Sequence, residues 1–161
     1  MSLFENDKEK AQAANRFLEF YLGGESYAVE LLKVKEVLTP PEMTPIPKAP
    51  SYVCGLMNLR GNVLTVIDLR KKLGIVPDKT TSQNGVIIFD LENRLLGVMV
   101  DSIQRVIYVE SDNVKPLPDS SDGIVPKMAF LVGVLKQEDK LSMWLDPKLL
   151  LEPVYELKKV A

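Results

Sequence analysis

Histidine is absent from all 161 residues of the chain. Serine and cysteine nucleophiles are normally activated by a histidine base, so this absence removes the Ser-His-Asp and Cys-His arrangements of hydrolytic enzymes. Imidazole is also a principal ligand of zinc, copper and non-haem iron in proteins. The missing histidine therefore excludes histidine-based catalysis and the usual zinc, copper and non-haem iron sites, and for the chain as a whole we expect neither a metal nor a cofactor.

Cysteine occurs only once, at Cys54. A single thiol can form neither an intramolecular disulfide nor a thiolate metal cluster. Because free cysteine is most often a small core residue, Cys54 in the apolar run 52–56 is predicted to be buried. The fold must then depend on an apolar core, which a chain of this length is large enough to build.

The chain also lacks an excess of positive charge and a long apolar run. Twenty Lys and Arg residues stand against 22 Asp and Glu residues, and the net charge is −2. Nucleic-acid binding normally uses a basic face, so this balance argues against a nucleic-acid partner.

The longest uncharged stretches, such as 49–59, are about half the ~20 residues of a membrane-spanning helix. The first residues show no signal-peptide pattern, and we expect a cytoplasmic protein without membrane insertion.

Motifs that would identify an enzyme are missing as well. The chain has no Gly-x-Gly-x-x-Gly, no phosphate loop ending in Gly-Lys-Ser/Thr and no Gly-x-Ser-x-Gly. Carboxylate pairs such as Asp119 and Asp122 lie in predicted loops, with no apolar surroundings to raise a pKa. The residues alone favour a binding module. Two other classes remain, an enzyme that borrows its site from a partner chain and an oligonucleotide-binding barrel.

Short apolar segments separated by turn residues are abundant. They predict nine or ten strands, from 16–22 to the hairpin that ends at 141–145, with turns at Gly23-Gly24 and Gly61-Asn62. Strands do not alternate with long helices, which argues against a doubly wound α/β fold. The pattern predicts an all-β barrel or sandwich with short helical turns, one closed by Gly74.

Three segments and two glycines allow more than one interpretation or carry no regular pattern. Residues 31–38 fit both a helical face and a strand, and one helical turn running into a strand is preferred. Five prolines in 40–50 exclude a helix, and apolar anchors there favour an ordered loop over a flexible linker. Residues 111–126 are predicted to be a loop. Gly97 and Gly133 interrupt strands, as a bulge or barrel corner does, or as a close approach of a partner would require.

Several segments resemble the CheW family of adaptor proteins. The most specific match is Gly55-x-x-Asn58-Leu59-Arg60-Gly61 followed by Val66-Ile67-Asp68-Leu69. The resemblance covers about residues 16–152 and leaves tails at 1–15 and 153–161. It implies one CheW-like domain made of two small five-stranded, SH3-like β-barrel lobes that share an apolar core, with short helices at the N- and C-terminal ends. The other matching segments are 31–37, the proline-rich stretch, 63–70, 96–101 and 103–106.

The resemblance implies a non-enzymatic adaptor. Proteins of this family join the cytoplasmic tip of a chemoreceptor to the regulatory domain of the histidine kinase CheA, and they are thereby recruited to membrane-associated receptor arrays. The same module also occurs within CheA and in CheV, but a stand-alone adaptor is the expectation for this chain. The alternative is a CheW-like adaptor of a non-flagellar chemosensory pathway, such as twitching motility.

Site residues follow from the resemblance too. Glu36 and Arg60 match the family's functional pair of opposite charges, and we expect them to lie close together and shape the receptor site. An ordinary cross-strand salt bridge is the alternative. Lys115 falls in a loop that resembles the second CheA contact, although Ser120 stands where a related protein has an aromatic residue. The other receptor-binding candidates are Val37, Gly55, Gly97 and Val106. The other kinase-binding candidates are Leu31 and Val34, which match family positions near the kinase-facing or the receptor-facing edge.

Overall fold

The computed structural model describes residues 15–76, 82–117 and 130–150. Strands dominate these ranges, and the helical segments are short, which confirms the all-β class. The helical segments are 3-10 turns at Leu31–Lys33 and Ser111–Asn113, helix α1 (Leu69–Leu73) and a turn at 147–150. The strands are β1 (Arg16–Leu22), β2 (Glu25–Glu30), β3 (Val34–Leu38), β4 (Val53–Leu59), β5 (Asn62–Asp68), β6 (Gly85–Leu91), β7 (Arg94–Val100), β8 (Ser102–Tyr108), β9 (Val114–Pro116), β10 (Leu131–Gln137) and β11 (Lys140–Leu145).

These strands form two sheets, one for each lobe. The six-stranded sheet has the order β8-β1-β2-β11-β10-β9, and the five-stranded sheet has the order β3-β6-β7-β5-β4. Neighbours are antiparallel except for the parallel pairs β11–β2 and β5–β7. Two small SH3-like β lobes were predicted and are present, although neither sheet closes into the predicted barrel. The sixth strand, β9, corrects the prediction of a loop over 111–126, because a three-residue strand is too short to show a period of two.

The apolar core lies where the two sheets face each other. Phe20 and Tyr27 stack in the six-stranded sheet with ring centroids 5.9 Å apart, and they pack in one cluster with Ile67 and Ile87 of the other sheet. Since successive strand residues point to opposite faces, the neighbours of these residues lie inside each lobe. The six-stranded lobe encloses Phe17, Ala28, Ile107, Val109 and Leu135, and the five-stranded lobe encloses Met57, Leu64, Val66, Val86 and Ile88. This arrangement confirms the predicted shared core.

The proline-rich stretch is ordered, as the preferred interpretation held. Thr44 exchanges two backbone hydrogen bonds with Leu56 of β4, each 2.8 Å long, and so lies beside an edge of the five-stranded sheet. Met43 packs against the interior of that lobe. The chain then enters β4 through a turn in which Val53 N donates to Pro50 O over 3.0 Å. The predicted linker alternative is therefore wrong.

A buried ion pair joins the lobes near α1. Arg70 Nε lies 2.5 Å from Asp101 Oδ1, and both side chains are almost fully buried. The other carboxylate oxygen of Asp101 accepts a hydrogen bond from Gly23 N at 2.8 Å. One carboxylate thus connects the β1–β2 turn, the helix and the β7–β8 junction.

Both ends of the chain were predicted to carry short helices. The N-terminal one falls in 1–14, outside the described residues, as do most of the predicted tails 1–15 and 153–161. At the C-terminal end, the turn over 147–150 begins as expected, because Asp146 Oδ1 accepts from Lys148 N at 3.0 Å. Helix α1 ends at Gly74, which has the left-handed conformation of a C-terminal cap.

Candidate functional site

The centre of the candidate site is the ion pair between Glu36 and Arg60. Arg60 Nη2 donates to Glu36 Oε1 over 2.9 Å, which confirms that the two side chains lie close together. Glu36 belongs to β3, and Arg60 follows β4, and these are the two outer strands of the five-stranded sheet. The pair therefore bridges the open edges of a strongly curved sheet. The side chain of Arg60 is 74% exposed and that of Glu36 is 26% exposed, so the guanidinium faces solvent and the carboxylate lies below it.

A tight turn presents Arg60. Leu59 and Asn62 pair across β4 and β5, so the loop between them consists of Arg60 and Gly61 alone. The predicted turn at Gly61-Asn62 is thus one residue too far along the chain. Both loop residues have positive φ, 50° for Arg60 and 89° for Gly61. Positive φ at both positions defines the type I′ turn, whose twist matches that of the flanking strands.

Val37 lies next to Glu36 but on the other face of β3. Along this strand Val34, Glu36 and Leu38 are half-buried, whereas Lys35 and Val37 are exposed, and 44% of Val37 is accessible to solvent. An exposed valine beside a charged pair offers apolar area to a partner that wraps around the strand edge. Glu36 and Val37 thus present two faces of one edge strand.

Gly55 is buried, and the backbone that approaches it is the chain's own. Its φ is 148°, a conformation that side chains disfavour, and a Cβ atom there would come within 2.5 Å of Thr44 O. The absence of a side chain lets the proline-rich stretch pair with β4. The structure therefore gives Gly55 a local role that the sequence did not indicate.

Gly97 lies in the interior of the five-stranded lobe. An added Cβ would meet Val66 Cγ2 at 2.9 Å and Leu64 Cδ1 at 3.2 Å. The register of β7 with both of its neighbours is regular, so the predicted bulge is wrong here. At Gly133 the bulge is confirmed, because the register with β11 shifts between Leu131 and Gly133. Any effect of Gly97 on partner binding must pass through the packing of the lobe.

Val106 lies in the other lobe, on the edge strand β8. It is 50% exposed, and Tyr108, two residues on and on the same face, is 58% exposed. These two side chains form an apolar strip along the edge of the six-stranded sheet. The receptor-site candidates are thus divided between the two lobes.

The kinase-site candidates are spread in the same way. Leu31 and Val34 are half-buried and pack against the shared core, so each contributes to the packing of the lobes. Lys115 is exposed on β9, an outer strand of the six-stranded sheet, and this placement corrects the loop predicted for it. Ser120 falls outside the described residues.

A second polar cluster was not predicted from the sequence. Glu19, in the middle of β1, is almost fully buried and accepts hydrogen bonds from Lys140 Nζ and Gln137 Nε2, each at 3.2 Å. Lys140 also donates to Tyr21 Oη at 2.9 Å, and that bond together with Glu19 raises the pKa of the ammonium group. Gln137 and Lys140 line a cavity of about 660 Å³ together with Arg105. The only sequence signal was a glutamate within an apolar run.

Cys54 is half-buried at the start of β4 rather than fully enclosed. Burial, with a smaller contribution from the Asp68 carboxylate, raises the pKa of its thiol to about 11. The described ranges contain no group of three or more potential Cys, Asp or Glu metal ligands. None of the helices in these ranges is long and apolar enough to cross a membrane.

Comparison with known proteins gives the family. The model of the CheW-like domain matches residues 16–154, and the chain belongs to this family. The chain is 29% identical to the chemotaxis protein CheW of Helicobacter pylori, over 86% of this chain and 87% of that protein. It is 32% identical to the chemotaxis protein CheW of Treponema pallidum, over 81% and 78% of the two chains. The crystal structure of the scaffolding protein TtCheW from Thermoanaerobacter tengcongensis superposes with a TM-score of 0.74 at 28% identity, covering 83% of this chain and 89% of that one.

Proposed function

We propose that this protein is a non-enzymatic adaptor that couples the cytoplasmic tips of chemoreceptors to the histidine kinase CheA. Its family membership and the names of its relatives, which are chemotaxis and scaffolding proteins, support a role in chemotaxis. The observation that carries the proposal is the exposed ion pair of Glu36 and Arg60 across the edges of the five-stranded sheet.

The surface around this pair suits a helical partner. A helix that docks into a groove needs apolar contacts along its length and polar groups at the rim. Val37 supplies exposed apolar area on one lobe, and Val106 supplies it on the other. Arg60, with most of its guanidinium in water, can exchange solvent for a carboxylate of the partner. We therefore assign these residues to the contact with the receptor tip.

The kinase contact would use the remaining candidates, which also lie on both lobes. Lys115 on the outer strand β9 offers an exposed cation, and Leu31 and Val34 lie where the chain enters the outer strand β3. Lys115 lies at the opposite edge of the six-stranded sheet from Val106, and this separation would let one adaptor hold receptor and kinase at the same time. In this proposal the protein stays in the cytoplasm and reaches the membrane only through the receptor.

Calorimetric titration tests the proposal directly. The full chain is titrated with a receptor signalling-tip fragment and, separately, with the CheA regulatory domain from the same source. We expect micromolar or tighter binding to each, and a ternary complex on size-exclusion chromatography because the two surfaces differ. If a folded sample binds neither partner, the adaptor function is wrong and only the fold relationship stands.

A further inference from the structure

The turn that carries Arg60 has an unusual backbone for its sequence. Residues with a side chain disfavour positive φ, whereas glycine adopts it freely. Arg60 nevertheless occupies this conformation, at φ 50°, as the first residue of the two-residue loop. A residue keeps such a conformation only when the surrounding structure holds it there.

Asn58, on the strand that leads into the turn, restrains this loop. Its side-chain Oδ1 accepts a hydrogen bond from Gly61 N over 2.8 Å, from the last position but one of β4 to the second loop residue. Asn58 itself is exposed and packs into no core. Asparagine side chains stabilise tight turns by such bonds to nearby backbone groups. The bond closes a ring around Arg60 and limits the rotation of the loop.

A second hairpin in the same sheet has a two-residue loop of the same backbone type but lacks this bond. The β6–β7 loop consists of Glu92 and Asn93, both at positive φ, between Leu91 and Arg94, which pair in register. Asp90 occupies the position equivalent to Asn58, and within the described ranges its side chain forms no matching bond to the loop. A turn with this backbone can therefore form without the bond. The hairpin that has the bond is the one whose Arg60 guanidinium binds Glu36.

We propose that Asn58 is a positioning residue, whose hydrogen bond to Gly61 N directs the Arg60 guanidinium onto Glu36 and so prepares the receptor-binding pair. This inference rests on the proposed function, since it assigns Asn58 an indirect role at the same site. Asn58 acts through the turn and needs no contact with the partner. Its loss should weaken binding by about fivefold, the change that one hydrogen bond typically makes.

The experiment compares variants in titrations against the receptor-tip fragment. Asn58→Ala should weaken binding, and Asn58→Ser should be intermediate because a hydroxyl can accept the same bond more weakly. The matched control is Asp90→Ala, at the equivalent position of the β6–β7 hairpin, which should bind like the wild type. In the Arg60→Ala background, Asn58→Ala should have no further effect, because the guanidinium that it positions is gone.

A measurement on the free protein separates the two proposals. In NMR spectra without any partner, Asn58→Ala should speed the exchange with water of the Arg60 Nη protons, which bind Glu36 Oε1, whereas Asp90→Ala should not. If Arg60→Ala binds the fragment normally, the proposed receptor site is wrong, and the exchange rate still tests the positioning role. Wild-type binding by Asn58→Ala, or an equal loss in the presence and absence of Arg60, would overturn the inference for Asn58.

Discussion

The Arg60 guanidinium that binds Glu36 lies mostly in water, and this exposure decides what substitution of the pair does. An exposed ion pair contributes about 0–1 kcal/mol to stability, because solvent screens it and ordering two long side chains has an entropic cost. A partner that covers the pair changes this balance, since the charges then interact in a drier environment. The pair should therefore matter more for binding than for folding.

The first prediction follows for Arg60→Ala. We expect the free energy of unfolding in urea to change by less than about 1 kcal/mol. Affinity for the receptor-tip fragment should fall about tenfold or more, as at interface hot spots. Lys148→Ala is the control, because it breaks another exposed pair, with Glu92 at 3.4 Å, that involves neither Glu36 nor Arg60. Loss of the cooperative melt in Arg60→Ala would instead assign the pair a structural role.

The second prediction concerns the reactivity of Cys54. A thiol with a pKa of about 11 is protonated near neutral pH, and only the thiolate attacks alkylating reagents. At about pH 8, alkylation by iodoacetamide should be roughly a hundredfold slower than that of a small free thiol. The rate should rise with pH until the thiol ionises, and this is followed by mass spectrometry. A rate equal to that of the free thiol would show that Cys54 is not shielded.

At the scale of elements, some parts of the fold could be predicted from the sequence and others could not. The strand over 16–22 was predictable because apolar residues persist up to Gly23-Gly24, and the turn-then-strand interpretation of 31–38 is confirmed. Strand β9 was missed because three residues carry no period. Glu36 and Arg60, which lie 24 positions apart, were paired only through the family resemblance, since no local pattern links two edge strands.

The third prediction tests the pairing of the proline-rich stretch with β4. Gly55→Ala places a methyl group within 2.5 Å of Thr44 O, and backbone cannot move aside as a flexible side chain does. Gly24→Ala is the matched control, because Gly24 also has positive φ but nothing lies within 4 Å of an added Cβ. Both variants place a side chain at positive φ, 148° at Gly55 and 80° at Gly24, and each suffers backbone strain of about 1–3 kcal/mol.

Gly55→Ala should lose more stability than this control by at least about 1 kcal/mol, the scale of an overpacked site. Urea unfolding of the two variants measures the difference. Faster amide hydrogen exchange at Thr44 and Leu56 should accompany the loss in Gly55→Ala only. Equal stability of the two variants would show that the stretch accommodates the methyl group without cost.

At the scale of the whole molecule, the two lobes share one core and one buried ion pair. Arg70 and Asp101 lie at their junction, and Asp101 also holds the β1–β2 turn through Gly23 N. Removing one partner of a buried pair leaves the other charge in a dry environment. Substitution of either residue should therefore destabilise both sheets together.

The fourth prediction is that Arg70→Met destabilises the protein by about 3–5 kcal/mol, because Asp101 then stays buried without its cation. Unfolding should remain a single transition when followed by Trp144 fluorescence in one lobe and by amide exchange in the other. The double variant Arg70→Met with Asp101→Leu should recover part of the loss, since neither charge is left alone. Two separate transitions would show that the lobes are independent units.

The order of the strands has a consequence for how the protein is made. β3 to β7 are consecutive in the chain and form the five-stranded sheet, whereas the six-stranded sheet combines β1 and β2 with β8 to β11. β2 finds its parallel neighbour, β11, only when residues 140–145 have been synthesised. On the ribosome, the five-stranded sheet can therefore assemble early. Until β11 has been made, β1 and β2 keep apolar surface exposed. Such exposed strands are the kind of segment that chaperones protect during translation.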